Sequence, residues 1–171
     1  GIGPFFFIAG RVFCASLILF AISFIKKDRI RIHSYEFLPL LSGAVFLWAM
    51  GNGFIVIAEQ KISSGFAGII VATAPVWAAL FDSLFSRKAP RPLVMASIAL
   101  GFFGLAIVLR GEILRGIHAD PFSVFLAVAG SVSWAFGMNI QKRQPLTLSA
   151  ISSSAYQQFF AGILVFLTAL L

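Results

Sequence analysis

The sequence predicts an all-α membrane protein, a helical bundle with six spans. Three observations carry that prediction. The first is composition: 60% of the 171 residues are hydrophobic and 11% are charged, against roughly 45–50% and about 25% in soluble domains. The second is grouping. The apolar residues fall into six runs, 5–25, 37–58, 64–85, 93–109, 122–140 and 151–171. Each is near the roughly 20 residues that cross a bilayer as a helix. The third is that the runs are continuous, whereas barrel strands alternate apolar with polar residues. Hydrocarbon offers no hydrogen-bond partner, so each run must pair its own backbone groups as a helix.

The first run ends at Lys26-Lys27-Asp28-Arg29-Ile30-Arg31. Arg87, Lys88 and Arg91 lie between the third and fourth runs, and Lys142 and Arg143 between the fifth and sixth. Most of the 13 basic residues therefore fall in alternate loops. The positive-inside rule places those loops in the cytoplasm and runs the first helix from outside to inside. The net charge of +7 belongs to these loops; with no aromatic-plus-basic recognition motif beside it, it predicts no nucleic-acid partner. The second and third runs are separated only by Glu59-Gln60-Lys61 and Ser63-Ser64-Gly65, a short turn at the outer rim. Pro39, Pro90, Pro92, Pro121 and Pro145 fall near helix starts or in loops, where a missing N–H costs little. Pro75 lies inside the third run, leaves the Val71 carbonyl without its usual donor and predicts a bend. Cys14, the single cysteine, is expected to be a small buried hydrophobe. The chain opens on Gly with no signal-peptide pattern before the first run, and is expected to be a fragment.

At 100° per residue, Trp48, Asn52 and Glu59 form one stripe on the second run. Asn52, deep in the span, reads as a cavity lining, and Glu59 as outer surface. On the third run Gly65, Gly68, Ala72, Pro75 and Ala79 share a face and predict a packing seam, with Thr73 and Trp77 on the opposite side. Asp82, near the cytoplasmic end, is expected to pair with Arg87, Lys88 or Arg91. The fourth run carries Ser97, Gly101 and Gly104 as a further seam and reads as scaffold. The fifth gathers Ser123, Gly130, Ser133, Trp134, Gly137 and Gln141 near one face, leaving room beside Trp134 for a partner helix or a ligand. On the sixth, Gln157 and Gln158 predict a polar patch facing the bundle interior.

Reactive constellations are missing. There is no HExxH, no Cys/His cluster, no GxSxG and no Walker A motif. His33 and His118 are expected on opposite sides of the bilayer, and so are Glu59 and Asp82. No enzyme, metal site or cofactor is predicted. A bundle with internal polar and aromatic groups suggests passage of a small solute.

Several stretches together resemble the EamA-type permeases of the drug/metabolite transporter superfamily. Gly3-Pro4 followed by Arg11 resembles the opening of that family's second helix. Residues 51–80, GNGFIVIAEQKISSGFAGIIVATAPVWAAL, resemble its third and fourth helices, and 98–111, IALGFFGLAIVLRG, its fifth. Residues 120–143 look like the sixth, and the Gly-Asn-Gly and Ala-Glu-Gln combination is most similar to the YedA-like branch. The family's frequent Glu in the basic loop after helix four is absent from Ser86-Arg87-Lys88-Ala89. The resemblance implies ten helices in two five-helix repeats of inverted topology. Residues 1–111 would be the first repeat without its first helix, and 120–171 the start of the second. Arg11, Phe13, Ala15 and Leu17 echo Gln158, Phe160, Gly162 and Leu164 at one fixed offset, in helices that cross in opposite directions.

The resemblance also implies a function: transport of a small metabolite or drug, with efflux expected, by alternating access through a central cavity. The cavity-lining candidates carried over are Trp48, Asn52, Thr73, Trp77 and Trp134, where a cationic solute would sit over a Trp face. The expected partners are a small-molecule substrate and the lipid bilayer, and the expected place is the inner (plasma) membrane, crossed several times. A second reading stays open, a non-transporting membrane scaffold or assembly subunit whose polar groups are helix glue.

Overall fold

The computed structural model describes residues 4–88, 91–108, 110 and 120–170. All regular structure among them is helical. Helix α1 (Pro4–Ile25) is followed by a loop and a composite rod: α2 (Ser34–Gly43), a π-helical stretch (Ala44–Asn52) and α3 (Gly53–Ala58). A tight turn leads to α4 (Ser64–Val71) and α5 (Ala74–Ser86). Then come α6 (Pro92–Val108), α7 (Pro121–Arg143) and α8 (Ala150–Ala169). Five rods are long and apolar enough to cross a membrane: Phe6–Ile25, Ser34–Ala58, Ser64–Ser86, Pro121–Arg143 and Ala150–Ala169. This is a multi-pass membrane protein. The sixth predicted span is the shorter α6, of 17 residues, and the far end of its run, at 109, lies outside the described residues.

Helix starts follow side-chain caps. Ser63 Oγ accepts the Phe66 N–H at 3.3 Å, and Ser149 Oγ accepts the Ser152 N–H at 3.1 Å. Asp120 accepts from the Ser123 N–H at 3.0 Å and the Ser123 hydroxyl at 2.8 Å. The second span begins earlier than its apolar run, because Glu36 Oε2 accepts the His33 N–H at 3.0 Å and caps the helix from its third position. That earlier start puts Pro39 inside α2, where it is buried, and not at a helix start.

At Pro75 the third span is interrupted, not merely bent. α4 stops at Val71, Ala72 and Thr73 form a turn, and α5 restarts with Pro75 in its first turn. The Thr73 hydroxyl donates to the Ile70 carbonyl at 2.6 Å, and Ser131 of α7 donates to the same carbonyl at 3.3 Å. Side-chain hydroxyls thus cover a backbone acceptor at the interruption.

Two packing relations organise the bundle. α1 lies antiparallel along α8, with Phe6 against Phe166, Phe13 against Phe159 and Phe20 against Tyr156. Ser16 Oγ donates to the Ala155 carbonyl at 2.9 Å within that seam. α7 is the hub, touching α2, the π stretch, α3, α4 and α5. Its buried stripe is built of small residues, among them Ser123, Ala127, Gly130, Ser131, Ser133, Ala135 and Gly137. Lipid gives helices no hydrophobic reason to associate, so close van der Waals approach along such a stripe does the holding.

Some expected seams lie elsewhere. On α4 the buried residues are Ala67 and Ile70. Gly68, Ala72 and Pro75 are exposed, and a Cβ on Gly68 would meet nothing within 4 Å. The apolar partners of Leu126 and Ala127 on α7 set that phase. Gly104 of α6 also faces open space; the surroundings of Ser97 and Gly101 lie outside the description. Cys14 is exposed, because the buried face of α1 is the one carrying Ile8, Ala9, Val12 and Ser16.

Candidate functional site

Small residues on two rods bring the predicted aromatics together. The Cβ position of Gly130 lies 2.9 Å from the Gly51 carbonyl oxygen, so the backbones of α7 and the π stretch nearly touch there. The Cβ position of Gly51 lies 3.2 Å from Trp134 Cε3. With no side chain in the way, Trp134 lies on the π stretch and meets Trp48 at 5.9 Å between ring centroids, tilted by 57°. Ser133, next to Trp134, donates to the Phe46 carbonyl at 2.8 Å and fixes the register of the two rods.

Asn52 faces another neighbour. Its Oδ1 accepts from Arg11 of α1 at 3.5 Å, and its Nδ2 donates to the Leu47 carbonyl at 3.3 Å. Thr73 and Trp77 form a third pair, the indole N–H donating to the Thr73 hydroxyl at 3.0 Å. The five predicted cavity residues therefore appear as Trp48 with Trp134, Asn52 with Arg11, and Thr73 with Trp77. Of the five, Trp134 lines a cavity of about 570 Å³ between α5, α6 and α7, which runs past Pro75 and Ala79 to Asp82 and Lys142. Gln157 and Gln158 are buried on α8. Glu59 is exposed in the turn after α3, away from both tryptophans.

The basic loops meet at one end of the bundle, and carboxylates tie them together. Asp82 accepts from Arg143 at 2.9 Å and from Lys142 at 3.2 Å. The expected partners Arg87, Lys88 and Arg91 are not its ion pairs, because the end of α7 lies alongside α5. Arg143 also donates to Asn139 Oδ1 at 3.0 Å and sits over the Phe85 ring at 4.9 Å. Asn139 in turn donates to the Ala78 carbonyl at 3.0 Å, so α5 and α7 are joined at two depths.

Glu36, which the residue pattern did not single out, is the most connected carboxylate. It is fully buried. Its Oε1 accepts from Arg29 at 2.6 Å, the Thr147 N–H at 3.0 Å and the Thr147 hydroxyl at 2.8 Å. Asp28 accepts from the Ser149 hydroxyl at 2.7 Å beside it. This clamp joins the loop after α1 to the loop before α8. The available signal was a Glu three residues into a helix; His33 in the capping position hid it, since that place is usually Ser, Thr, Asp or Asn. At the other end, hydrogen bonds from the Ser123 hydroxyl and N–H, with Lys61 at 4.0 Å, outweigh burial and hold the Asp120 carboxyl below the usual carboxylate range. No group of three or more metal-ligating side chains occurs among the described residues.

These features define a polytopic helical membrane protein with paired aromatic and amide side chains between its helices. The chain belongs to the EamA-like transporter family, whose model matches residues 1–110. It is similar to the inner membrane transporter YedA of Escherichia coli (strain K12), 34% identical over 137 residues, which is 78% of this chain and 43% of YedA. It is also similar to the transporter YoaV of Bacillus subtilis (strain 168), 21% identical over 169 residues, 96% of this chain and 56% of YoaV. A transporter of Archaeoglobus fulgidus is 25% identical over 145 residues, 84% of this chain and 51% of that protein. The chain thus spans about half the length of the curated relatives it matches. No solved structure matches it.

Proposed function

We propose that the chain is part of an inner-membrane permease that exports a small metabolite or drug by alternating access. Residues 1–111 form part of one repeat and 120–171 open the second, with the solute path between them. The observation that carries this reading is the Trp48–Trp134 pair between two rods, with Asn52 one turn further along the same rod and bonded to the exposed Arg11 of α1. Polar and charged groups within a membrane span are costly, and a solute path is their usual reason. Thr73, Trp77 and the interruption at Pro75 give the third span a joint, which supports a moving helix. Arg11 sets a positive charge beside Asn52, which favours neutral or anionic solutes over a cation stacked on Trp.

The test is solute flux in proteoliposomes containing the full-length protein. Trp134→Ala is expected to lower flux about two- to tenfold, since an aromatic contact contributes roughly 0.5–1.5 kcal/mol and about 1.4 kcal/mol is tenfold. Asn52→Ala is expected to lower it as well. Absence of flux for a broad metabolite set, with both variants behaving as wild type in cells, would support the scaffold reading instead.

A further inference from the structure

We infer that a second solute site lies at the basic end of the bundle, between α7 and α8, and that it takes a small carboxylate. An open cavity of about 420 Å³ lies there, lined by Gln141 and Lys142 of α7 and by Ser153, Ser154 and Gln157 of α8. That volume falls within the roughly 300–1,000 Å³ of small-molecule sites. It is separate from the Trp48–Trp134 wall, and neither tryptophan lines it.

Its side chains hold unused hydrogen-bonding capacity. Gln141 Nε2 is buried and has no hydrogen-bond partner. Gln157 is 5% exposed and Ser153 is 7% exposed, and among the described residues neither side chain makes a hydrogen bond. Burying an amide unpaired is costly, so Gln141 Nε2 calls for a partner, while the polar atoms of Gln157 and Ser153 stay accessible to a ligand. Gly43 of α2 makes their convergence possible. A Cβ on it would lie 2.6 Å from Gln141 Nε2 and 2.7 Å from Gln157 Cδ. Both amides therefore reach across the same bare patch of helix.

Charge and donor count decide the ligand class. The cavity offers two carboxamides and two hydroxyls, and its lining includes Lys142, whose ammonium is shared with Asp82 at 3.2 Å. None of its lining residues is acidic. A carboxylate brings two acceptor oxygens and one negative charge, which suits N–H and O–H donors beside an ammonium. A cation would find no counter-charge in the lining. Loop charges place this end in the cytoplasm, so on the export reading it is where a solute would first be held. Only that role rests on the proposed function; the site itself does not.

The experiment is a titration of the intact protein in lipid nanodiscs with ¹⁵N-labelled glutamine side chains. Acetate, acetamide and methylammonium are the probes. Acetate is expected to shift the Gln141 and Gln157 amide resonances saturably, acetamide at least tenfold more weakly, and methylammonium not at all. Gly43→Ala, which pushes both amides aside while suiting the helix, and Gln157→Leu are each expected to weaken acetate at least tenfold with the protein still folded. Equal responses to all three probes, as in a water-filled gap, would overturn the proposal. So would the absence of a saturable acetate shift, or unchanged acetate affinity in both variants. Carboxylate binding without flux counts against the permease alone, and flux without a carboxylate response counts against this site alone.

Discussion

Gly130→Ala tests whether α7 and the π stretch are held by backbone proximity. The added Cβ would sit 2.9 Å from the Gly51 carbonyl oxygen and 2.9 Å from Ile55 Cγ1. The carbonyl is backbone and has no rotamer to change, so the two rods must separate by several tenths of an ångström. Overpacking of this kind costs about 1–3 kcal/mol. Alanine returns roughly 0.5–1 kcal/mol over glycine in a helix interior. The same exchange at Gly10 of α1, where nothing lies within 4 Å, keeps the propensity gain and adds no clash. Gly130→Ala is therefore expected to be about 1–3 kcal/mol less stable than Gly10→Ala, a difference from which helix propensity cancels. Unfolding in mild detergent, followed by helical circular dichroism, measures it. Tryptophan emission should change in Gly130→Ala only, since Trp134 lies against Gly51. Equal stabilities for the two variants would refute the close approach on which the aromatic wall depends.

Further expectations follow from the caps and clamps. Glu36→Ala should raise amide exchange in residues 144–149 at least tenfold while the α1–α8 seam stays protected, because Thr147 loses both bonds to Oε1; unchanged exchange there would show that Glu36 does not pin the loop. Asp120 has a depressed carboxyl pKa in the folded chain. Its stabilising contribution is thus complete above the unfolded-state value and is lost as pH falls through the folded one. Melting temperature should drop across that acidic window in wild type and less in Asp120→Asn, and parallel curves would count against the cap. Ser133→Ala should cost about 0.6 kcal/mol, the mean for an interhelical hydrogen bond in a membrane protein, and a neutral result in the same unfolding assay would remove the Phe46 contact from the list of ties.

The spans and the turn at Glu59 to Lys61 were legible because hydrocarbon imposes a length and a backbone rule on any sequence. Partner choice was not. The bases at 87, 88 and 91 are close to Asp82 along the chain, yet Lys142 and Arg143 reach it, since tertiary packing decides which helix ends are neighbours. Glu36 finds Thr147 across 111 positions, a distance no local pattern covers. Small residues misled for a related reason. The face with Gly68 and Ala72 looked like a seam, but an apolar face on the same helix, through Ala67 and Ile70, is what meets α7. A stripe of small residues permits close approach without compelling it.

The second span departs from a regular α-helix at the candidate site itself. A helical wheel assumes 100° per residue and stacks Trp48, Asn52 and Glu59. Between Ala44 and Asn52 the helix is π, and its hydrogen bonds reach five residues back, not four. Asn52 consequently lies over Leu47, whose carbonyl its amide bonds at 3.3 Å. Trp48 meets Trp134 of α7. Each side chain has its own neighbour, Arg11 on α1 for Asn52 and Trp134 on α7 for Trp48. A single rod thereby supplies both the polar and the aromatic part of the wall, and Gly51 sits in the same stretch because Trp134 needs the space its missing side chain leaves.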